Sequence, residues 1–420
     1  MKRCSVIFAV ILLLCGCSRN LKNSISPVSY TSADNFIEKR IERKIEKRIF
    51  DFVAEGSEPI QEDIIVPGKF DLSGISHELR ATIKGIVNKK QTFPEKYTDM
   101  EGILTFRGNN LRDSAAYGKV YIKEKKLEVL WAFETSSRSW GGGAGWTGQA
   151  AIIKWPAEAI ELMNIKKEFK SRKDLTEAVC PSLDGRIYFL ELESGLQTRQ
   201  HIDIKNPIKG SITLDPRGFP LLYVGQGLQE TDVMGFRIFS LIDGKLLHFI
   251  NGKDSFALRK WCAFDGSPLI NRNTDTMILG GENGLLYNIK LNTEFDKVNK
   301  TIKLEPEEVK YRYKIKGNSF QGIENSVAAY KNLVYFADNG GSIQAVDLIN
   351  METVWVLDKI DDTDATITVE VEEGVPYLYT GTEVDKQGIM GNSHIRKING
   401  LTGEVLWDKQ YHCISLQGEK

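Results

Sequence analysis

Cysteine and histidine are scarce in this chain, with six and five copies in 420 residues. No two cysteines are adjacent, and Cys180, Cys262 and Cys413 stand far apart. That spacing excludes a disulfide framework and zinc-ligand clusters. The histidines are scattered without a metal motif. Neither sign of charge is in excess, with 55 Lys and Arg against 56 Asp and Glu. A nucleic-acid partner, which requires a basic patch, is not expected. Beyond the N-terminal leader no run is apolar enough to span a bilayer. Nucleophile–base pairs and paired catalytic carboxylates cannot be assigned either. What is present is a chain with 41% hydrophobic residues, enough for a large globular core.

The N-terminus carries an address. Lys2 and Arg3 precede "VIFAVILLL", an apolar stretch of signal-peptide length. The next residues, Leu14-Cys15-Gly16-Cys17, resemble a bacterial lipobox. The resemblance implies cleavage after residue 16 and acylation of Cys17. A diacylated N-terminus anchors firmly, since each buried methylene contributes roughly 0.8 kcal/mol. The expected location is the cell envelope, outside the cytoplasmic membrane. An ordinary secretory signal cut nearby is the alternative. Residues 17–33 read as a flexible tether, and 34–102 as a helical spacer. Ile37, Ile41, Ile45 and Ile49 recur every fourth residue after Asp34, a plausible N-cap. A second, weaker helix is expected over 75–90.

From about residue 103 the texture is β-rich and repetitive. "RIYFLELESGLQTR" (186–199), "FRIFSLIDGKLLHF" (236–249), "LLYNIKLNTEFDKV" (285–298), "SIQAVDLINMETVW" (342–355) and "HIRKINGLTGEVLW" (394–407) share one pattern. An alternating strand leads to a polar turn and then a second strand. Each hairpin follows another strand pair, so each unit holds four strands. Five units are expected, at about 149–200, 211–250, 267–314, 325–358 and 366–410. "VYIKEKKLEVLW" (120–131) reads as a lone outer hairpin or strand before the first. Residues 154–175 read as a helix-bearing insertion. Such units bury their faces by stacking radially, which makes an all-β fold, a β-propeller. The chain ends where a sixth unit is due. The expectation is a propeller truncated at its C-terminus. A ring closed by five units plus fragments is the other reading.

Ala345, Asp347, Trp355, Thr402-Gly403 and Trp407 resemble the pyrroloquinoline-quinone (PQQ) repeat. Ser194-Gly195 and Asp243-Gly244 match its turn alone. The resemblance spans 103–420 and implies the quinoprotein-alcohol-dehydrogenase-like superfamily of propellers. In that family tryptophans dock between blades, which assigns Trp131, Trp355 and Trp407 a structural place. The repeat occurs in quinoprotein dehydrogenases and in non-catalytic lipoproteins such as that of the outer-membrane β-barrel assembly machinery. The dehydrogenases stack their quinone on adjacent cysteines beside a calcium ion, and this chain has no such pair. Neither PQQ nor calcium is expected as a cofactor.

The resulting expectation is a lipid-anchored, non-enzymatic binding or scaffold protein. Its partner is a protein, a peptide or a glycan met at the propeller mouth. A quinoprotein-like dehydrogenase or sensor is one alternative, and a glycan- or cell-wall-binding module another. Two sets of residues are candidates for the mouth. "RSWGGGAGWTGQ" (138–149) lacks the Lys-Ser/Thr of a phosphate loop. Its glycines either let a crossing connection pack tightly, or present Trp140 and Trp146 for recognition beside Arg259 and Trp261. Asp265, Glu324 and Asp364 precede the inner strands of three units at the same offset. They are expected either to set turns by bonding nearby backbone, or to ring the mouth as a site for calcium or a basic group.

Overall fold

The computed structural model describes residues 64–82, 91–145, 147–172, 174–227 and 233–415. Cys17, the Ile37 to Ile49 stripe and Trp146 lie outside the described residues.

Five antiparallel sheets follow one another along the chain, each built on a four-stranded meander. The first holds Ala151–Lys154, Thr176–Pro181, Arg186–Glu191 and Ile202–Asp203. The second holds Thr213–Leu214, Leu221–Val224, Gly235–Ser240 and Leu246–Asn251. The third runs Leu269–Asn271, Thr276–Gly280, Leu285–Lys290 and Glu307–Ile315. The fourth runs Ala328–Tyr330, Leu333–Ala337, Ile343–Asp347 and Glu352–Leu357, and the fifth Thr368–Glu372, Val375–Gly381, Met390–Asn399 and Val405–Ile414. These sheets fall on the five sequence repeats. Their burial shows why they stack. Ile153, Val179 and Phe189 of the first share a core with Leu222, Val224 and Phe239 of the second. The same face-to-face packing joins second to third, third to fourth and fourth to fifth. The fold is a β-propeller of four-stranded blades.

Three expectations change. Residues 75–81 form a strand rather than a helix, pairing antiparallel with Glu307–Ile315 from Ile75↔Ile315 to Ala81↔Val309. Ile75, His77 and Leu79 alternate with Ser76, Glu78 and Arg80, and His77 stacks on Tyr311 at 5.3 Å between centroids. An available sheet edge decides between two local patterns. The span 120–131 forms no strand; Tyr121 and Val129 are exposed, and no strand among the described residues pairs with the segment. An isolated hairpin is marginal in water. In the third unit a small extra hairpin, Glu294–Asp296 with Thr301–Lys303, intervenes before the outer strand. The repeat at 285–298 matched poorly because its last strand lies further on. The insertion at 154–175 does carry helices, Ala157–Leu162 and Lys167–Lys170, whose Ile160 and Phe169 enter the first core.

The axis is filled by the chain itself. Gly102–Ile103 pairs with the first sheet. Residues 104–112 then cross the inner strands of the others. Leu104 O accepts from Leu214 N at 2.7 Å, Asn110 O from Ala329 N at 2.7 Å, and Leu111 O from Val369 N at 2.8 Å. Arg112, fully buried, sits among them at φ 60°. Its guanidinium donates to Val327 O, Phe106 O, Ser267 O and Thr105 Oγ1 at 2.7–2.8 Å. Two acceptors from its own segment and one from before each of the third and fourth sheets satisfy one buried cation.

Candidate functional site

One end of the propeller gathers two kinds of connection: the turns between second and third strands, and the crossings between sheets. They interlock in a repeated way. Gly227 N donates to Pro207 O at 3.1 Å, Glu282 N to Ala263 O at 3.1 Å, Asn339 N to Gly322 O at 2.9 Å, and Glu383 N to Asp362 O at 2.7 Å. Two residues beyond each accepting carbonyl stand Lys209, Asp265, Glu324 and Asp364. The equivalence of Asp265, Glu324 and Asp364 inferred from sequence is therefore geometric. The repeat has a fourth, basic member in Lys209 and an interleaved set in Glu282, Asn339 and Glu383. Neither was visible in the sequence pattern.

The side chains meet. Lys209 Nζ lies 2.5 Å from Asp265 Oδ2 and also bonds Glu324 Oε1. Asn339 Nδ2 is 3.0 Å from Glu324 Oε2, 3.1 Å from Asp364 Oδ1 and 3.3 Å from Asp362 Oδ1. Arg259 donates to Asn339 Oδ1, and Lys386 to Asn339 O and Asp362 Oδ2. The carboxylates of Asp265, Glu324 and Asp364 bond Lys209 and Asn339 side chains, and among the described residues none is found on a neighbouring backbone N–H.

Acid exceeds base in this cluster, and burial amplifies the imbalance. Burial, with Glu324 adding repulsion, pushes Asp265 up to about 7. Burial and the neighbouring Glu324 and Asp362 carboxylates push Asp364 up to about 9. Glu282 is driven well above the usual range by burial and by Asp265. Glu324 is held below its ordinary value, the Lys209 ammonium outweighing its burial. Glu282 is 3% exposed, and its Oε1 has no hydrogen-bond partner; Asp265 Oδ1 has none either.

The glycine loop abuts this end. Thr147 Oγ1 donates to Lys209 O at 3.0 Å, and a Cβ on Gly145 would stand 2.2 Å from the same oxygen. A Cβ on Gly142 would stand 2.1 Å from Ser136 O. Close backbone approach therefore accounts for these glycines. Trp140 tips the loop at 48% exposure, and Trp261 is 46% exposed two residues after Arg259. The loop packs tightly and also presents a tryptophan.

The three docking tryptophans differ. Trp131 donates from Nε1 to Leu192 O at 3.1 Å, over Gly195. Trp355, 2% exposed, donates to Gly400 O at 2.9 Å, over Gly403. Both glycines have positive φ, 71° and 75°. A Cβ on either would meet the ring, at 2.5 Å in Gly195 and 2.9 Å in Gly403. Trp407 holds the register place of Trp355, opposite Lys397 beside a bulge, and its ring meets Tyr379 and Lys409 of its own sheet.

No family model and no curated protein matches this chain. Among solved structures it is similar to BamB from Moraxella catarrhalis, at 14% identity with a TM-score of 0.37. That alignment takes in 57% of this chain and 62% of the BamB chain, so this chain spans about three fifths of that structure.

Proposed function

We propose that this protein is a lipid-anchored, extracytoplasmic propeller of PQQ-like repeats that serves as a non-enzymatic docking scaffold for a protein partner. The observation that carries the reading is the exposure of Trp140 and Trp261 at the end where the polar crossings gather. Large aromatics and arginine dominate the energetics of protein interfaces, and Arg259 stands beside Trp261. The filled axis favours binding on this outer rim over a cofactor held at the centre. The Trp131 and Trp355 rings, each over a glycine turn, support the repeat assignment. Cys17 supplies the anchor.

A photo-reactive residue placed at Trp140 or Trp261 of the full-length protein in native membranes tests this. The expected result is one dominant protein adduct, absent when the probe stands at exposed Val298. Labelling of carbohydrate with no protein adduct would instead favour the glycan-binding alternative, which the same exposed tryptophans serve. Equal labelling at all three positions would overturn both.

A further inference from the structure

We propose that Asp265, Glu282 and Glu324 form a binding site for a divalent cation that prefers oxygen ligands, with Ca²⁺ as the ion that fits. One carboxylate oxygen from each lies within 4.8 Å of one from either of the others. Opposed oxygens around Ca²⁺ stand about 5 Å apart, and its coordination tolerates irregular geometry. Mg²⁺ demands a tighter and more regular octahedron.

The independent observation is Glu282. It is 97% buried by the exposure given above, its Oε1 has no partner, and it faces the two other acids. Asp265 Oδ1 is likewise unpaired. A buried carboxylate is retained at such cost only where something compensates it. Lys209 forms ion pairs with Asp265 and Glu324, while Glu282 feels Lys209 and Arg259 as nearby charges and has no ion pair among the described residues. Turn formation does not explain these side chains, since among the described residues their oxygens bond no neighbouring backbone N–H. Asp265 and Glu324 come from two successive crossings, and Glu282 from the turn interlocked with the first. An ion here pins three connections of the second, third and fourth sheets.

The test uses full-length protein in detergent, stripped with a chelator, with CaCl₂ as the probe. Wild type should bind one Ca²⁺ in calorimetry, and its Tm should rise by roughly 5 °C at a hundredfold excess over Kd. Glu282→Gln should keep the unloaded fold, seen by circular dichroism, and lose both responses. Asp265→Asn provides the same test should Glu282→Gln fail to fold. Lys209→Met, which removes the competing ammonium, should bind Ca²⁺ at least severalfold more tightly. Wild type with neither heat nor Tm shift at millimolar Ca²⁺ would overturn the proposal. So would undiminished binding in Glu282→Gln. An equal response to Mg²⁺ would overturn the assignment of the ion.

Discussion

Two buried polar regions lie along this propeller, and they are built on opposite terms. At the hub, Arg112 carries a full charge with no carboxylate bonded to it, yet every direction of its guanidinium meets a carbonyl or hydroxyl. At the interlocked end, Asp265 and Glu324 share one ammonium, and Asp265 Oδ1 and Glu282 Oε1 have no hydrogen-bond partner. The first arrangement closes on itself and holds the sheets together. The second has spare capacity, and spare capacity in a buried polar cluster points outward to a ligand.

Removing Arg112 should break the comparison most severely. Arg112→Met takes the guanidinium from the carbonyls of Phe106, Ser267 and Val327 at once and should cost about 3–5 kcal/mol or prevent folding, read by urea unfolding. The docked and undocked tryptophans give the next contrast. Trp355→Ala should cost about 3–5 kcal/mol, because it empties a buried site beneath Gly403. Trp407→Ala should cost less than about 1 kcal/mol.

The pH dependence comes third. The folded-state value of Asp265 is raised by burial to about 7, against 3.8 in the unfolded chain. Its contribution is therefore complete below about pH 4 and is lost as pH rises through 7. Asp364, raised to about 9, extends the loss upward. Glu324 has the opposite sign, since its depressed value contributes stability that disappears only in acid. Chelator-treated protein should lose about 2 kcal/mol per pH unit between pH 5 and 7, measured by denaturant midpoints. Saturating Ca²⁺ should flatten that slope. Without cation at pH 8, Glu282→Gln should be about 1 kcal/mol more stable than wild type, the reverse of Arg112→Met. The smallest effect belongs to the rim. Trp140→Ala with Trp261→Ala should stay within about 0.5 kcal/mol of wild type per site while abolishing the partner adduct of a probe placed at exposed Lys260.

The sheets were legible because alternation, Gly turns and spacing repeat locally. Asp265, Glu324 and Asp364 were legible for the same reason, as equivalent offsets before inner strands. Lys209 escaped because a search for like residues passes over the one member of opposite charge. Glu282, Asn339 and Glu383 escaped because they belong to a different turn, brought in by backbone bonds between sheets that leave no mark on the local sequence. The hub was hidden for a related reason. Residues 104–112 are polar and glycine-containing, and only the surrounding inner strands make Arg112 an interior residue. Residues 75–81 and 120–131 show the converse. One gains a strand partner more than two hundred residues away, and the other has strand-like alternation with nothing to pair against.

The tryptophan and its glycine turn have a consequence for how such a chain can be lengthened or recombined. Each unit that ends in a docking tryptophan supplies a plug to its successor, and each turn with a positive-φ glycine supplies the matching socket. The fifth unit has both, its socket at Gly403 filled by Trp355 and its plug at Trp407 over no glycine turn among the described residues. A tandem duplicate of that unit would arrive with the right socket for its own template. Such a unit is self-propagating as a piece of genetic material: a copy joins the array without new complementarity having to evolve. A change to either half of the pair would have to be matched in a different unit.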